Sequence, residues 1–286
     1  KTVEFVSIFV PDGIETDMGG GSLVLNTITT EGDIVGGVSV SLDSIEDSPA
    51  VNYTTTTDNN GSLVLQGVPS QTYRITLNKD GYESVRTYPN PPGSAFIPND
   101  PDLYINEGDL NSKNFFIDLA ASLKIKAIDA LDESDISGVE ISLEGGRLIG
   151  SSPDTYNLND TSDTNSSGEI DYGDISPGSY KILNFATLEV GDYEFVASSD
   201  EEEFQLSASE SKEIELFFAD KNQPSLFLTV VDSSSLEPLE GAVVGVVKEG
   251  VFDKSIATDE NGRAFLPLQE DPFVPMENTD YTVEVR

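Results

Sequence analysis

The sequence predicts an all-β chain of three tandem, small β-sandwich domains arranged as a rod. Three observations predict this fold class. A pattern of residues recurs three times at intervals of roughly 100 residues, which is too long for a solenoid unit and suits one sandwich domain. Short alternating runs are separated by Gly, Pro, Asn and Asp, as the strands of such domains are. No window has a helical periodicity, and 286 residues have room for three domains.

Each copy of the repeat opens with Ser-Leu and an alternating strand, continues through Gly and a second apolar run, and reaches a Thr/Asp-rich turn that ends in Gly. Alternate residues of a strand face opposite sides of its sheet, so the opening strands predict side-chain directions. We expect Lys124 and Lys126 to face solvent. The residues expected to face the core are Leu23, Leu25, Thr27, Leu123, Ile125, Ala127, Leu226, Leu228 and Val230.

The elements follow in order along the chain. Residues 1–20 are predicted to form a strand over 3–10 and a Gly-rich joint. In domain 21–120 the predicted strands are 23–28, 38–42, 53–56, 63–65 and 73–77. A Pro-rich loop over 88–102 and a closing strand over 114–119 follow them. Domain 121–220 is predicted to carry an added loop, an acidic run and a closing strand, at 144–160, 200–203 and 213–218. A Ser-Lys pair precedes the closing strand in both repeats, at 112–113 and at 211–212, and we interpret the two pairs as equivalent positions.

Domain 221–286 has the opening strands, the turn and a strand over 281–285, but it lacks a counterpart of the closing strand. An open sheet edge promotes aggregation unless something covers it. The strand over 3–10 of a neighbouring subunit is one candidate, because both of its faces are apolar, as a strand buried in a sandwich requires. The alternative is that residues 1–10 pack on their own first domain and that the chain continues past residue 286.

Composition excludes several classes of partner and chemistry. The chain has 15 Lys and Arg against 52 Asp and Glu, and a formal charge of −37 repels nucleic acid and anionic membrane surfaces. The acidity suits a surface in salt water or a calcium-bearing medium, and simple adaptation to salt is the alternative. Without Cys or His the chain has no disulfides, no thiolate nucleophile and no imidazole base. No run of about 18 apolar residues is present, so we expect no membrane insertion by this segment.

Six short motifs recur in the repeats, namely Gly-Val-Ser-Val at 37–40, Thr-Asp-Asn-Asn-Gly at 57–61, Gly-Val-Glu-Ile at 138–141, Ser-Pro-Gly-Ser-Tyr at 176–180, Gly-Ala-Val-Val at 241–244 and Thr-Asp-Glu-Asn-Gly at 258–262. With these motifs the repeats resemble carboxypeptidase regulatory-like and Cna B-type repeats, which are transthyretin-like or immunoglobulin-like sandwiches of prokaryotic surface proteins. The resemblance covers most of the chain after residue 20. It implies stalk modules of adhesins, pilins or secreted enzymes.

Some Cna B-type domains carry a Lys–Asn isopeptide bond whose Lys lies on the first strand and faces inward. The first repeat has no Lys over 22–42, the third has Val230 at the inward position, and the second offers only Lys124 and Lys126. An inward Lys in an apolar core would need its charge removed or paired. Solvated surface lysines are therefore the favoured interpretation.

A candidate calcium loop lies in the second repeat. Oxygen-bearing side chains fall at positions 1, 3, 5, 9 and 12 of an EF-hand-like spacing, with Gly at position 6. The candidate ligands are Asp163, Asn165, Ser167, Glu169, Asp171 and Asp174. Position 12 is Asp and not the longer Glu, and no helices flank the loop. An ordinary Asp-Gly hairpin turn is the alternative, and no other cofactor is expected.

No catalytic constellation stands out, because a Ser/His/Asp triad is impossible without His and acidic residues are everywhere. We therefore expect a non-enzymatic extracellular or cell-surface protein, an adhesin stalk or pilus-like filament subunit. Its expected partners are copies of itself, other surface proteins or glycans. The alternative is a carbohydrate-binding or accessory region of a secreted enzyme.

Three tyrosines near the Pro-rich loop are candidates for a sugar- or protein-binding platform, namely Tyr82, Tyr88 and Tyr104. The alternative is that these tyrosines are buried under the loop.

Overall fold

The computed structural model describes residues 20–45, 50–223, 225–248, 252–267 and 282–286, and this part of the chain is nearly all β. Its one helical element is a 3₁₀ turn at Phe185–Thr187. The predicted strand over 3–10 lies outside the described residues. The strands are β1 (Gly20–Ile28), β2 (Ser39–Ser44), β3 (Asn52–Thr56), β4 (Ser62–Pro69), β5 (Gln71–Asn78), β6 (Val85–Arg86), β7 (Ile97–Pro98), β8 (Leu103–Ile105), β9 (Leu110–Phe116), β10 (Ala121–Asp129), β11 (Glu140–Ser151), β12 (Thr155–Asp163), β13 (Glu169–Ile175), β14 (Gly178–Ile182), β15 (Glu189–Val190), β16 (Tyr193–Ser198), β17 (Glu203–Leu206), β18 (Ser211–Asp220), β19 (Ser225–Thr229), β20 (Val243–Lys248), β21 (Phe252–Ala257), β22 (Arg263–Pro267) and β23 (Thr282–Val285).

The first repeat, β1–β9, forms a three-stranded sheet in the order β4-β1-β9 and a second sheet in the order β3-β2-β5-β6, with β8 also paired to β5. Its opening strand β1 lies antiparallel to β4 and parallel to the closing strand β9. Apolar side chains from both sheets form one buried core that runs in sequence from Leu23 to Ile117. Facing sheets that bury alternate residues are the arrangement expected of a sandwich.

The second repeat, β10–β18, has the same arrangement, in the orders β13-β10-β18-β16-β15 and β12-β11-β14-β17, and the sheet that contains its opening strand has five strands, against three in the first repeat. Its opening strand β10 lies antiparallel to β13 and parallel to β18. A separate core runs from Ala121 to Phe218. The third repeat, β19–β23, has the sheets β19-β22 and β21-β20-β23, in which Val244, Val246 and Leu266 are buried. The prediction of an all-β fold is confirmed, whereas the exact domain boundaries stay predictions.

The three turns share one hydrogen-bonding scheme, which explains why the same residue types recur. The hydroxyl oxygens of Thr57, Thr164 and Thr258 accept a backbone N–H from the second apolar run, at 3.0, 3.0 and 2.9 Å. In each turn the next side chain, Asp or Asn, accepts the N–H groups two and four residues later. These contacts satisfy backbone groups that the turn would otherwise leave unpaired.

Glycine ends each turn because no other residue fits there. Gly61, Gly168 and Gly262 have φ angles of 68°, 69° and 71°, which L side chains rarely adopt. A Cβ at any of the three would lie 2.5 Å from a carbonyl oxygen, which belongs to the opening strand at Gly61 and Gly168 and to the residue that follows it at Gly262. The opening strand and the turn can therefore approach closely only at glycine.

The predicted side-chain directions hold in the first two repeats. Leu23, Leu25, Thr27, Leu123, Ile125 and Ala127 are all buried, and β1 alternates strictly between buried and half-buried residues. Lys124 and Lys126 face outward and are half-buried. In the third repeat the alternation is lost, because Leu226, Phe227 and Leu228 are all half-buried.

Two predictions about individual elements were wrong. Residues 144–160 do not form a loop but most of a long hairpin, in which β11 and β12 pair from Glu140–Asp163 to Gly150–Thr155. The Ser-Lys pairs at 112–113 and 211–212 are not equivalent. Leu25 lies opposite Lys113, whereas the corresponding Ile125 lies opposite Ile214, so the second closing strand is displaced by two residues. A shift of two residues keeps the same face inward, so the core is preserved.

Candidate functional site

The first two repeats are joined by a buried ion pair. Glu83 lies just after β5, and its side chain is 1% exposed. Its carboxylate accepts hydrogen bonds from Nη2 of Arg147, on β11 of the second repeat, and from Nε of the same side chain at 3.1 Å. The guanidinium also donates to the carbonyl of Phe116 at 3.0 Å. Since removal of either partner leaves a buried charge unpaired, this pair holds the two repeats in one arrangement.

The Pro-rich loop provides a second connection between these repeats. Within it, β7 pairs with the end of β11, where Gly150 lies opposite Pro98. Asn99 bonds β11 twice, from its backbone N–H to the carbonyl of Ile149 at 2.9 Å and from its side-chain amide to that of Leu148 at 2.8 Å. Gly150 has no room for a side chain, because a Cβ would overlap the ring of Phe96 and lie 2.7 Å from the carbonyl of Ile97. The loop is thus part of the joint.

A cleft of about 390 Å³ lies beside this joint, and its walls come from both repeats. We call it the junction cleft. Three basic residues line it, together with one acidic residue, two aromatic rings and several amide and hydroxyl groups. The residues used below are Arg86, Tyr88, Asp100, Lys113, Asn114 and Arg147. A concave site between two domains, with convergent polar groups, is the usual form of a ligand-binding site.

Aromatic contacts join the second and third repeats. The ring of Phe217, on β18, lies 5.4 Å from that of Phe227, on β19, between centroids. The guanidinium of Arg263 lies 4.6 Å from the centroid of Phe217 and 3.3 Å from the carboxylate of Glu215. This joint therefore depends on stacking and on one partly exposed ion pair, whose contribution to stability is smaller than that of a buried pair.

The third repeat has an unpaired edge at its opening strand. In the described part of the chain β19 pairs with β22 alone, whereas β1 and β10 each have a second, parallel neighbour in β9 and β18. The residues of β19 are also less buried than those of β1 and β10. An unpaired edge presents N–H and C=O groups that can bind a further strand.

The six candidate calcium ligands are distributed along one hairpin. Asp163 ends β12, Asn165 and Ser167 lie in the turn, and the other three lie on β13. The Asn165 side-chain oxygen already accepts the N–H groups of Ser167 and Glu169, and the Glu169 carboxylate contacts Lys124 at 3.3 Å. Within the described ranges no group of three or more Asp or Glu is close enough to hold a metal. A site that also uses amide and hydroxyl oxygens stays a prediction.

The outward lysines of β10 neutralise acidic neighbours. Lys124 contacts Glu169, and Lys126 contacts Asp135 at 3.1 Å. A hydrogen bond to Glu169 and the nearby acidic charges raise the pKa of Lys124. Both ammonium groups are thus paired with carboxylates at the surface, as the sequence favoured over an isopeptide bond.

Burial raises the pKa of three tyrosines of the second repeat, Tyr172, Tyr180 and Tyr193. Burial raises the pKa of Tyr180 above its ordinary value of 10.0, and the charge of Glu83 adds to this effect. Burial and a hydrogen bond to Asp160 raise the pKa of Tyr172. The Tyr180 hydroxyl donates to the carbonyl of Ser176 at 2.6 Å, as Tyr73 does to Pro69 at 3.0 Å in the first repeat. The phenols of Tyr172 and Tyr180 therefore keep their protons to a higher pH than an ordinary tyrosine does.

Sequence reasoning found the tyrosines near the cleft but missed the joint. Tyr88 lines the cleft, Tyr82 lies against Lys79 at 4.6 Å, and Tyr104 is exposed on β8. Glu83 and Arg147 are 64 residues apart, and neither lies in a motif. The only local signal was Arg147 among the glycines of a segment that was interpreted as a loop.

No protein-family model matches the chain, and no curated protein matches it. Among solved structures it is similar to the Bacillus anthracis TIE protein, at 14% identity and a TM-score of 0.29, over 87% of this chain and 44% of that one. It is also similar to a streptococcal ancillary pilin, at 14% identity and a TM-score of 0.28, over 93% of this chain and 95% of the pilin. GBS52, the minor pilin of Streptococcus agalactiae, matches at 13% identity and a TM-score of 0.32, over 70% and 96%. The chain thus spans less than half of the TIE protein.

None of the helical structure in the described ranges is long and apolar enough to cross a membrane.

Proposed function

We propose that this chain is a non-enzymatic extracellular protein, a pilus-like filament subunit or surface stalk, whose copies assemble by strand addition. The observation that carries the proposal is the unpaired edge of β19. Its counterparts β1 and β10 are each covered by a parallel closing strand. A strand donated by another copy would complete the third repeat in the way that the first two are completed. A head-to-tail contact of this kind generates an open filament unless its rotation closes into a ring.

The proposed donor is the strand over 3–10 of the neighbouring subunit. In its sequence Val3, Phe5 and Phe9 fall on one face and Val6, Ile8 and Val10 on the other. A strand inserted between a sheet neighbour and a core needs apolar side chains on both faces. The competing donor is a segment of the same chain, which would cover β19 within one molecule and leave no site for a second copy.

Composition supports the non-enzymatic, surface-exposed part of the proposal. The chain lacks His and Cys, which supply most bases, nucleophiles and transition-metal ligands of enzymes. Its charge of −37 keeps a surface protein soluble and repels nucleic acid. The turns and joints described above use their polar groups to hold strands and repeats together. Loss of a hydrolytic activity on change of a single carboxylate would contradict this part of the proposal.

Electron microscopy of the purified chain over a range of concentrations, with calcium and with chelator, tests the assembly. We expect filaments whose axial repeat is about three domain lengths. A synthetic peptide of residues 1–12 should shorten them, because it competes for the β19 edge, whereas a scrambled peptide of the same composition should not. Short isolated rods at every concentration would contradict strand addition between copies. Filaments whose length does not change when the peptide is added would rule out residues 3–10 as the donor strand.

A further inference from the structure

The junction cleft contains an unusual concentration of positive charge for this chain. It has three of the chain's 15 basic residues, Arg86, Lys113 and Arg147, and one acidic residue, Asp100. Over the whole sequence, acidic residues outnumber basic ones by 52 to 15. The cleft therefore reverses the charge balance of the molecule, and this reversal favours an anionic group in the ligand.

Arg86 supplies the free charge of the cleft. The other four arginines of the chain are each paired with a carboxylate, namely Arg74 with Asp102, Arg147 with Glu83, Arg263 with Glu215 and Arg286 with Glu284. Lys113 is also paired, with Asp100 at 2.7 Å. Arg86 has no carboxylate partner among the residues that the structure describes, and its side chain is exposed. Its guanidinium can therefore receive a ligand carboxylate through two parallel hydrogen bonds.

The surroundings of Arg86 are suited to a sugar ring. Its guanidinium lies 4.9 Å from the ring centroid of Tyr88, which itself packs edge-on against Phe96 at 6.5 Å. The side-chain oxygen of Asn114 accepts from Asn26 at 3.0 Å, and its amide nitrogen has no acceptor in the described part of the chain. An aromatic wall packs against the C–H face of a saccharide, while an amide donor pairs with its hydroxyl oxygens.

We propose that the junction cleft binds a saccharide that carries one carboxylate, such as a hexuronic acid residue at the end of a neutral glycan. Arg86 pairs with the carboxylate, the face of Tyr88 that the guanidinium does not cover packs against the ring, and the Asn114 amide donates to a hydroxyl. A cleft of about 390 Å³ lies within the range of small-ligand sites. The proposal is independent of filament assembly, because all of these groups belong to one chain.

The overall charge decides between one carboxylate and many. A polyuronate would bring a row of negative charges against a surface of formal charge −37. Among the basic residues that line the cleft, Lys113 and Arg147 are paired with carboxylates, so Arg86 alone is available to compensate those charges. A single carboxylate is neutralised by that one guanidinium. At physiological salt the Debye length is about 8 Å, so the distant acidic residues are screened while the pair at Arg86 keeps its attraction. A single acidic sugar is therefore the class that the cleft fits.

Titration of the full chain with small glycosides tests the proposal. Methyl glucuronide is the probe, methyl glucoside is the matched neutral probe, and a peptide with one glutamate tests for a general carboxylate site. Binding is followed by saturation-transfer NMR and by ¹⁵N shifts of the arginine Nε–H groups. We expect the glucuronide to bind at least tenfold more tightly than either other probe and to shift the Arg86 resonance.

Two variants make the test specific. Arg86→Gln should weaken glucuronide binding at least tenfold and leave the far-UV circular dichroism unchanged, because Arg86 is exposed and has no carboxylate partner among the described residues. Lys221→Gln changes the net charge equally but lies outside the cleft, in the pair with Glu189, and should bind as the parent does. Equal binding of glucoside and glucuronide, equal binding of the peptide, or unchanged binding by Arg86→Gln would each overturn the proposal. So would the absence of any binding.

Discussion

Replacement of Arg147 by methionine should destabilise the joint between the first two repeats. Methionine keeps much of the length of the side chain but donates nothing to Glu83, whose carboxylate is 1% exposed. Three donor contacts are lost, two to that carboxylate and one to the Phe116 carbonyl. Removing one partner of a buried pair typically costs 3–5 kcal/mol. Arg147 is itself 21% exposed, so we expect about 3 kcal/mol, at the lower end of that range.

The assay is urea and thermal unfolding followed by far-UV circular dichroism, since the chain has no Trp. For a cooperative unit of roughly 200 residues, 3 kcal/mol corresponds to a fall of about 6–12 °C in Tm. Lys221→Met is the control, because it breaks an ion pair whose partner Glu189 is 67% exposed. That pair should contribute no more than about 1 kcal/mol.

A second substitution makes the reasoning specific to the unpaired charge. Glu83→Gln in the Arg147→Met background removes the charge that was left without a partner, so the double variant should be more stable than Arg147→Met alone. If the effect of Arg147→Met were purely steric, the losses in unfolding free energy caused by the two substitutions would add. A loss below about 1 kcal/mol in Arg147→Met, or a double variant less stable than that single one, would refute the account of the joint.

Three other predictions follow from the turns and the tyrosines. Gly168→Ala should cost about 2–4 kcal/mol in urea unfolding, from its positive φ and the close carbonyl, whereas Gly173→Ala, where nothing lies within 4 Å, should cost less than about 1 kcal/mol. Because the pKa values of Tyr172 and Tyr180 are raised, stability should be full below pH 10, near the pKa of an unfolded phenol, and then fall as pH rises, by up to about 1.4 kcal/mol per unit for each phenol. A pH-independent free energy of unfolding between pH 9 and 11.5 would contradict this. The calcium hypothesis predicts that calorimetry detects one site that Asp163→Asn weakens, and an unchanged titration would reject that ligand.

The repeats and the core-facing residues could be predicted because they depend on local rules. Alternation set the inward residues of β1 and β10, and the Thr/Asp-rich turns needed Gly at a left-handed position. The segment over 144–160 was misjudged for the same reason, since its Gly, Pro and Asn residues are typical of loops. In the folded chain β11 pairs with β12 and its glycines lie close to Tyr180, and these contacts outweigh the local composition. Pairing with a neighbouring strand can therefore stabilise a strand whose local composition is typical of a loop.

The junction cleft could not be predicted, because its walls come from segments that are distant in sequence. Arg86 and Tyr88 lie near one end of the Pro-rich loop, whereas Lys113 follows that loop and Arg147 belongs to the second repeat. The sequence did indicate that basic residues are scarce, with 15 against 52 acidic ones. It did not indicate which arginine lacks a carboxylate partner. Three of the four arginine ion pairs join residues that are far apart along the chain, and only the Arg286–Glu284 pair is local.

The joint and the cleft should be thermodynamically coupled. The cleft has its proposed shape only while the Glu83–Arg147 pair and the β7–β11 pairing hold the two repeats together. The three groups assigned to the ligand, Arg86, Tyr88 and Asn114, belong to the first repeat, so the coupling depends on further ligand contacts with the second-repeat wall, which is formed by Arg147, Leu148, Ile149 and Asn157. A ligand that makes those contacts only in the closed joint stabilises closure by the free energy that closure adds to its affinity. For a ligand that binds only the closed joint, a concentration of 100 Kd stabilises closure by about 2.7 kcal/mol. In a stalk that bears load, glycan binding would then make the first joint harder to open, and pulling on the joint would release the glycan.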